Sequence, residues 1–145
     1  MTDQTPVTVR VTHQFTQSAE RVFDAWLDPA KAGKFLFATP AGQMVRVEID
    51  PRVGGAFCFV DRRDGVDAEH FGEYVEIDRP RRLVFDFAVG EMPEAKTRVT
   101  IEIRSAGTGC ELTLIHEGVP TEYADRTSHG WATILDGLAA TLARD

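Results

Sequence analysis

The sequence predicts an α+β fold: a curved, seven-stranded antiparallel sheet around a long C-terminal helix, with two short helices after the first strand. Three observations carry this reading. Between Thr121 and Arg144, the residues Trp131, Ile134, Leu135, Leu138 and Leu142 recur at spacings of three and four, the mark of one buried helical face. Such a helix runs ~36 Å at about 1.5 Å per residue, enough to cross a small sheet. Upstream of it, apolar and polar residues alternate in short runs separated by Gly- and Pro-containing turns, as in hairpin-connected strands with one buried face. The helices are segregated from the strands, which separates α+β from a βαβ arrangement.

Met1 to Pro6 is polar and expected to fray, leaving residues 7–145 as one domain. Val7, Val9, Val11, His13 and Phe15 alternate with polar residues as a first strand. Ser18 is placed to cap a short helix whose apolar face is Val22, Phe23, Trp26 and Leu27, and which stops before Pro29. A second helical piece runs from Ala30 to Phe35. Val45, Val47 and Ile49 open the next strand. The turn at Pro51-Arg52-Val53-Gly54-Gly55 draws on glycines free to take positive φ. Five further strands are expected at Ala56–Asp61, His70–Ile77, Leu83–Val89, Thr97–Ile103 and Cys110–His116. In the last two, Val99, Ile101, Ile103, Leu112 and Leu114 should face the long helix, leaving Thr100, Glu102 and Thr113 for water.

Composition narrows the function. At 43% hydrophobic and 27% charged residues, the chain of 145 has the balance of an ordinary globular domain. Its net charge of -7 repels phosphate backbones and anionic lipid, so neither nucleic acid nor membrane insertion is expected. Arg79, Arg81 and Arg82 around Pro80 are the one candidate basic patch, and read better as solvated turn charges. Cys58 and Cys110 are neither close in sequence nor spaced as metal ligands. No secretory hydrophobic run precedes Val7, so free thiols and a cytoplasmic location are expected. The four histidines form no pair suited to zinc, and no phosphate-cradling or nucleophile-elbow motif occurs, so no metal or cofactor is expected.

Four local motifs in order carry a family resemblance. They are Ala19-Glu20-Arg21-Val22-Phe23-Asp24-Ala25-Trp26 with Asp28-Pro29; Asp50-Pro51-Arg52-Val53-Gly54-Gly55 leading into an aromatic strand; Gly72-Glu73-Tyr74-Val75-Glu76-Ile77-Asp78-Arg79-Pro80 running on to Phe85; and Leu112-Thr113-Leu114-Ile115-His116-Glu117-Gly118 followed by His129-Gly130-Trp131. Together they resemble the SRPBCC or START-like helix-grip superfamily, in the branch named for homologues of the activator of heat-shock protein 90 ATPase. The resemblance spans Val7 to Leu142. It implies a helix-grip fold, whose members include carriers, cyclases, hydrolases and co-chaperones, so function must be argued from the site.

The site reading follows from phase. Phe57, Phe59, Phe85 and Phe87 on strands, and Trp131, Ile134 and Leu138 on the long helix, share inward phase on elements that must face each other. Trp26 and Phe35 on the short helices would close the wider end. These nine residues are the expected wall of a cavity for a small, largely apolar ligand. Two side chains are candidates for an acid or base, which would favour a polyketide-cyclase or hydrolase type of enzyme instead. His116 is in phase with Leu112 and Leu114, against the plainer reading of a strand-end histidine bonded to a loop carbonyl. Glu73 is in phase with Phe71, Val75 and Ile77, unless a bulge near Gly72 turns Tyr74 inward. A co-chaperone-like interaction module is the remaining alternative. A homodimer is compatible with all three readings and required by none.

Overall fold

The computed structural model describes residues 6–36, 42–89 and 97–143. The expected fraying of Met1–Pro6 therefore lies, Pro6 apart, outside the described residues. The chain forms β1 (Val7–Phe15), α1 (Ala19–Leu27), α2 (Pro29–Phe35), β2 (Gln43–Ile49), β3 (Ala56–Arg63), β4 (Val66–Asp78), β5 (Arg82–Val89), β6 (Thr97–Ala106), β7 (Gly109–Val119), a 3₁₀ turn (Thr121–Tyr123) and α3 (Ala124–Ala143). All seven strands pair antiparallel in the order β1-β7-β6-β5-β4-β3-β2. Successive strands from β2 to β7 are neighbours. β1 and β2 lie at opposite edges, and α1 and α2 carry the chain between them.

Local chemistry sets the boundaries. The Ser18 hydroxyl accepts the Arg21 N–H at 3.3 Å, satisfying one orphan donor of α1. Asp28 ends α1 and caps α2, accepting the Ala30 N–H at 3.0 Å, with Pro29 in the first turn of α2 where its missing N–H is harmless. Several strands run longer than the alternation predicts. β3 and β4 meet at Asp64-Gly65, both at positive φ (51° and 79°). That is the geometry of a two-residue hairpin whose twist matches its strands, so pairing continues to the turn. Likewise α3 is the last described element, as expected, but the first residues of the predicted helix tighten into the 3₁₀ turn.

The core lies between the concave face of the sheet and the helices. Val99, Ile101, Ile103, Leu112 and Leu114 are all buried, as are Trp131, Leu135, Leu138 and Leu142 of α3. Glu102 is exposed and Thr113 half-buried, but Thr100, expected to face water, is buried. Its neighbours in register are Val84 and Ile115, so three β-branched side chains on the convex face shield one another. Paired charges border that face: Arg98 grips Asp86 with two nitrogens, Arg82 reaches Glu102, and Arg104 reaches Glu111. Arginine stems of this kind cover apolar surface while the head stays wet. The candidate basic patch reads as solvated turn charges, since exposed Arg79 is held bidentately by Asp24 and exposed Arg81 pairs with Asp78. Among the described residues, no helix is long and apolar enough to cross a membrane.

The paired glycines of the β2–β3 turn serve different ends. Gly54 has φ +85° with open space around it, whereas a Cβ on Gly55 would sit 2.2 Å from the Asp50 carbonyl oxygen. Gly54→Val should therefore cost ~1 kcal/mol from backbone strain alone. An unchanged thermal midpoint would show that the turn tolerates a side chain at positive φ.

Candidate functional site

One bulge decides which side chains enter the concave face. The β4–β5 register shifts between Tyr74 and Glu76, so Val75 is the extra residue. Upstream of it, His70, Gly72 and Tyr74 point inward, and Glu73 is exposed. Beyond it, Ile77 packs on the core. The phase that aimed Glu73 inward was set by Ile77, on the far side of the bulge. This corrects the candidate: Glu73 is solvated, and Tyr74 takes the interior place. Burial, with the charge of Asp50 adding to it, pushes the Tyr74 phenol well above its ordinary pKa.

Tyr74 completes an aromatic floor. The Phe57 ring lies 5.4 Å from Tyr74, 5.3 Å from Phe85 and 6.0 Å from Phe59, mostly edge to face. Phe85 continues to Phe87, and Phe87 meets Trp131 of α3 at 6.2 Å and 82°. Such geometries place a positive ring edge on a negative face. At the other end, Trp26 of α1 and Phe35 of α2 meet nearly perpendicular at 5.3 Å.

Between floor and short helices is a cavity lined by Trp26, Leu36, Phe57, Tyr74, Leu83 and Phe85, with about 10 Å³ open to the centre of a water molecule. That is room for roughly one water. All nine residues expected as the wall belong to or pack against a single core, but only Trp26, Phe57 and Phe85 line this space. Phe35 backs Trp26. Phe59 and Phe87 extend the floor past the cavity, and Trp131, Ile134 and Leu138 fill the groove from α3. Sequence reasoning missed Leu36 and Leu83, although Leu83 is in phase with Phe85 and Phe87.

His116 is buried under α3 in a polar chain of its own. The Trp131 indole N–H donates to His116 Nδ1 at 3.0 Å, and His116 Nε2 lies 2.7 Å from the Thr97 hydroxyl. An indole nitrogen can only donate, so Nδ1 must be the bare nitrogen and Nε2 must carry the proton. Thr97 passes the chain on to the Phe87 carbonyl at 3.4 Å. The expected loop-carbonyl partner is thus replaced by two side chains. Burial lowers the His116 pKa to about 4, so the ring is neutral near pH 7. Both nitrogens are committed, which leaves no lone pair to take a proton from a substrate.

The sequence showed no role for His70 and none for Asp61. Both are buried on the inward phase of β3 and β4, and Asp61 Oδ2 accepts from Arg63 Nε at 2.8 Å. Burial is the main cause lowering the His70 pKa to about 4, and the charge of Arg63 adds to it. His13 is half-buried and bonds Asp136 at 3.1 Å, tying β1 to α3. Cys58 and Cys110 are free thiols, each pushed up in pKa by burial. Among the described residues, no three His, Cys, Asp or Glu side chains gather as a metal site requires.

A sheet gripping one long helix, with two short helices over its wider end, defines the helix-grip class. The chain belongs to the family described as Activator of Hsp90 ATPase homolog 1-like protein, whose model matches residues 16–143. Solved structures agree. A Chromobacterium violaceum protein is 27% identical with a TM-score of 0.82, over 92% of this chain and 94% of that one. A Staphylococcus aureus protein of unknown function is 18% identical with a TM-score of 0.86, over 98% and 96%. An AHSA1-like protein from Aeromonas hydrophila, solved by NMR, is 20% identical with a TM-score of 0.82, over 95% and 93%. None of the curated proteins matches the sequence.

Proposed function

We propose that this protein binds a small, largely apolar molecule between the sheet and the helices α1 and α2. The observation that supports it is the lining of the residual cavity, six side chains of which five are purely hydrocarbon or indole and one a phenol. The space is wide enough only for a water, so a larger occupant must push α1 and α2 away from β3, β4 and β5. Six of the expected wall residues, Phe35, Phe59, Phe87, Trp131, Ile134 and Leu138, belong to the surrounding core rather than to the lining of the cavity. Catalysis is the weaker reading, because His116 is saturated by Trp131 and Thr97 and Glu73 faces solvent. An interaction module is also less favoured. Among the described residues, the exposed large hydrophobics Val45, Val53, Val66, Val75 and Tyr123 are scattered through the sequence, and singly exposed residues need no partner.

Uptake of an environment-sensitive apolar dye tests the reading. The wild-type protein should brighten the dye, and Leu83→Phe, which grows into the cavity, should abolish the response while costing ~1–3 kcal/mol of stability for overpacking. A folded wild-type protein that leaves the dye dark, and carries no small molecule in native mass spectrometry, would overturn it and put the interaction module first.

A further inference from the structure

Trp26 is almost wholly buried, at 1% exposed, and its ring borders the cavity. Its indole N–H is buried with no hydrogen-bond partner among the described residues. The second tryptophan shows what the first lacks, since the Trp131 N–H donates to His116 at 3.0 Å. An indole nitrogen donates and never accepts, so only an acceptor can satisfy it. A buried donor that no protein group satisfies is a standing penalty, and an acceptor held in the cavity that its ring borders would relieve it.

The remaining lining fixes the kind of acceptor. Leu36, Phe57, Leu83 and Phe85 offer no polar group, and Tyr74 offers only a phenol. No Lys, Arg or His lines the cavity, so a carboxylate or phosphate would lose its hydration with no countercharge in reach. We infer that the ligand is an uncharged, largely apolar molecule bearing one oxygen acceptor, of the ketone, ester or ether class, which takes the Trp26 N–H. This deepens the apolar-ligand reading above and rests on it. In this arrangement the aromatic floor supplies the affinity for hydrocarbon, and the indole selects among hydrocarbons by their oxygen. Tyr74 stands on the same wall as a second neutral donor.

Three small probes of near-equal size separate the possibilities: acetophenone, its hydrocarbon counterpart α-methylstyrene, and benzoate. The protein has two tryptophans, so a proton–nitrogen correlation spectrum carries two indole N–H resonances, and Trp26→Phe assigns them. Acetophenone should move the Trp26 resonance downfield and bind about fivefold or more tighter than α-methylstyrene, the worth of one net hydrogen bond. Benzoate should bind more weakly than either. Trp26→Phe should erase the preference for the ketone while keeping the hydrocarbon. Should that variant fail to fold, the wild-type resonance and the wild-type affinity ratio still decide. Equal affinity for ketone and hydrocarbon, with an unmoved Trp26 resonance, overturns this inference and leaves the apolar-ligand reading standing. Tighter binding of benzoate overturns the uncharged class. Binding of no probe overturns both the inference and the reading beneath it.

Discussion

Acidification from pH 6.5 to pH 4 should strip the protein of stability, by about 3 kcal/mol for each of His70 and His116. In the unfolded chain both titrate near 6.5, whereas in the folded protein burial lowers each to about 4. Between those values the unfolded state binds protons that the native state refuses. The stabilisation is therefore complete above pH 6.5, and is lost as the pH falls through the window to about 4. For His116 the molecular event is plain, because protonating Nδ1 puts a proton where the Trp131 indole must donate. Asp24 and Asp67, held below the usual carboxylate range by Arg79 and Arg62, lose their pairing only in more acid solution. Denaturant midpoints taken across this range measure the effect. His116→Leu should flatten the profile by about half, at the expense of removing the acceptor of the Trp131 indole N–H at neutral pH, ~1–3 kcal/mol. A profile level between pH 6.5 and 4 would contradict the burial of both rings.

Gly72→Ala should lose about 3 kcal/mol or fail to fold, though it adds only a methyl group. Gly72 stands in β4 with Phe57 on one side and Phe87 on the other. A Cβ there would lie 1.9 Å from the Asp86 carbonyl oxygen and 2.7 Å from the Phe57 ring. A ring can turn aside, but a backbone carbonyl in a central strand moves only with its strand. The missing side chain is what lets Phe57 lie over β4 and meet Tyr74 and Phe85 in the aromatic floor. Equilibrium unfolding reads the loss, and near-ultraviolet circular dichroism reads disorder of the floor. A variant as stable as wild type would mean that β4 and β5 adapt at no cost.

Most of the fold was legible because it is written in periods. The helical spacing from Trp131 to Leu142 and the alternation in β1, β6 and β7 each fix which side chains are buried, and the register shift between Val7 and Val9 falls at the end of the β1–β7 ladder, outside the run from Val9 to Phe15. The site was less legible because it is built where period fails. An added residue at Val75 reverses the phase of β4, and nothing in the identity of Glu73, Tyr74 or Val75 announces it. The partners of His116 lie on β6 and α3, so its hydrogen bonds depend on tertiary registration that strand phase does not encode. The burial of Thr100 has the same origin, since its cover comes from neighbouring strands. Asp61 shares phase with Phe57 and Phe59, a signal that was present, but a charged residue at a strand end reads as solvated by default.

The sheet order also shapes how the chain reaches this structure. Val9 finds His116 as its partner and Phe15 finds Cys110, so the first strand is completed by the last. Every other pairing joins strands consecutive in sequence and can form more locally. The β1–β7 ladder must wait until β7 is available, and its loop-closure entropy is met only then. During synthesis β1 emerges first and has no ladder partner for most of that time, which makes its alternating valines the segment most exposed to wrong pairing. The tie from His13 to Asp136 fastens α3 to the same strand, so that edge is held by the helix as well as by the ladder.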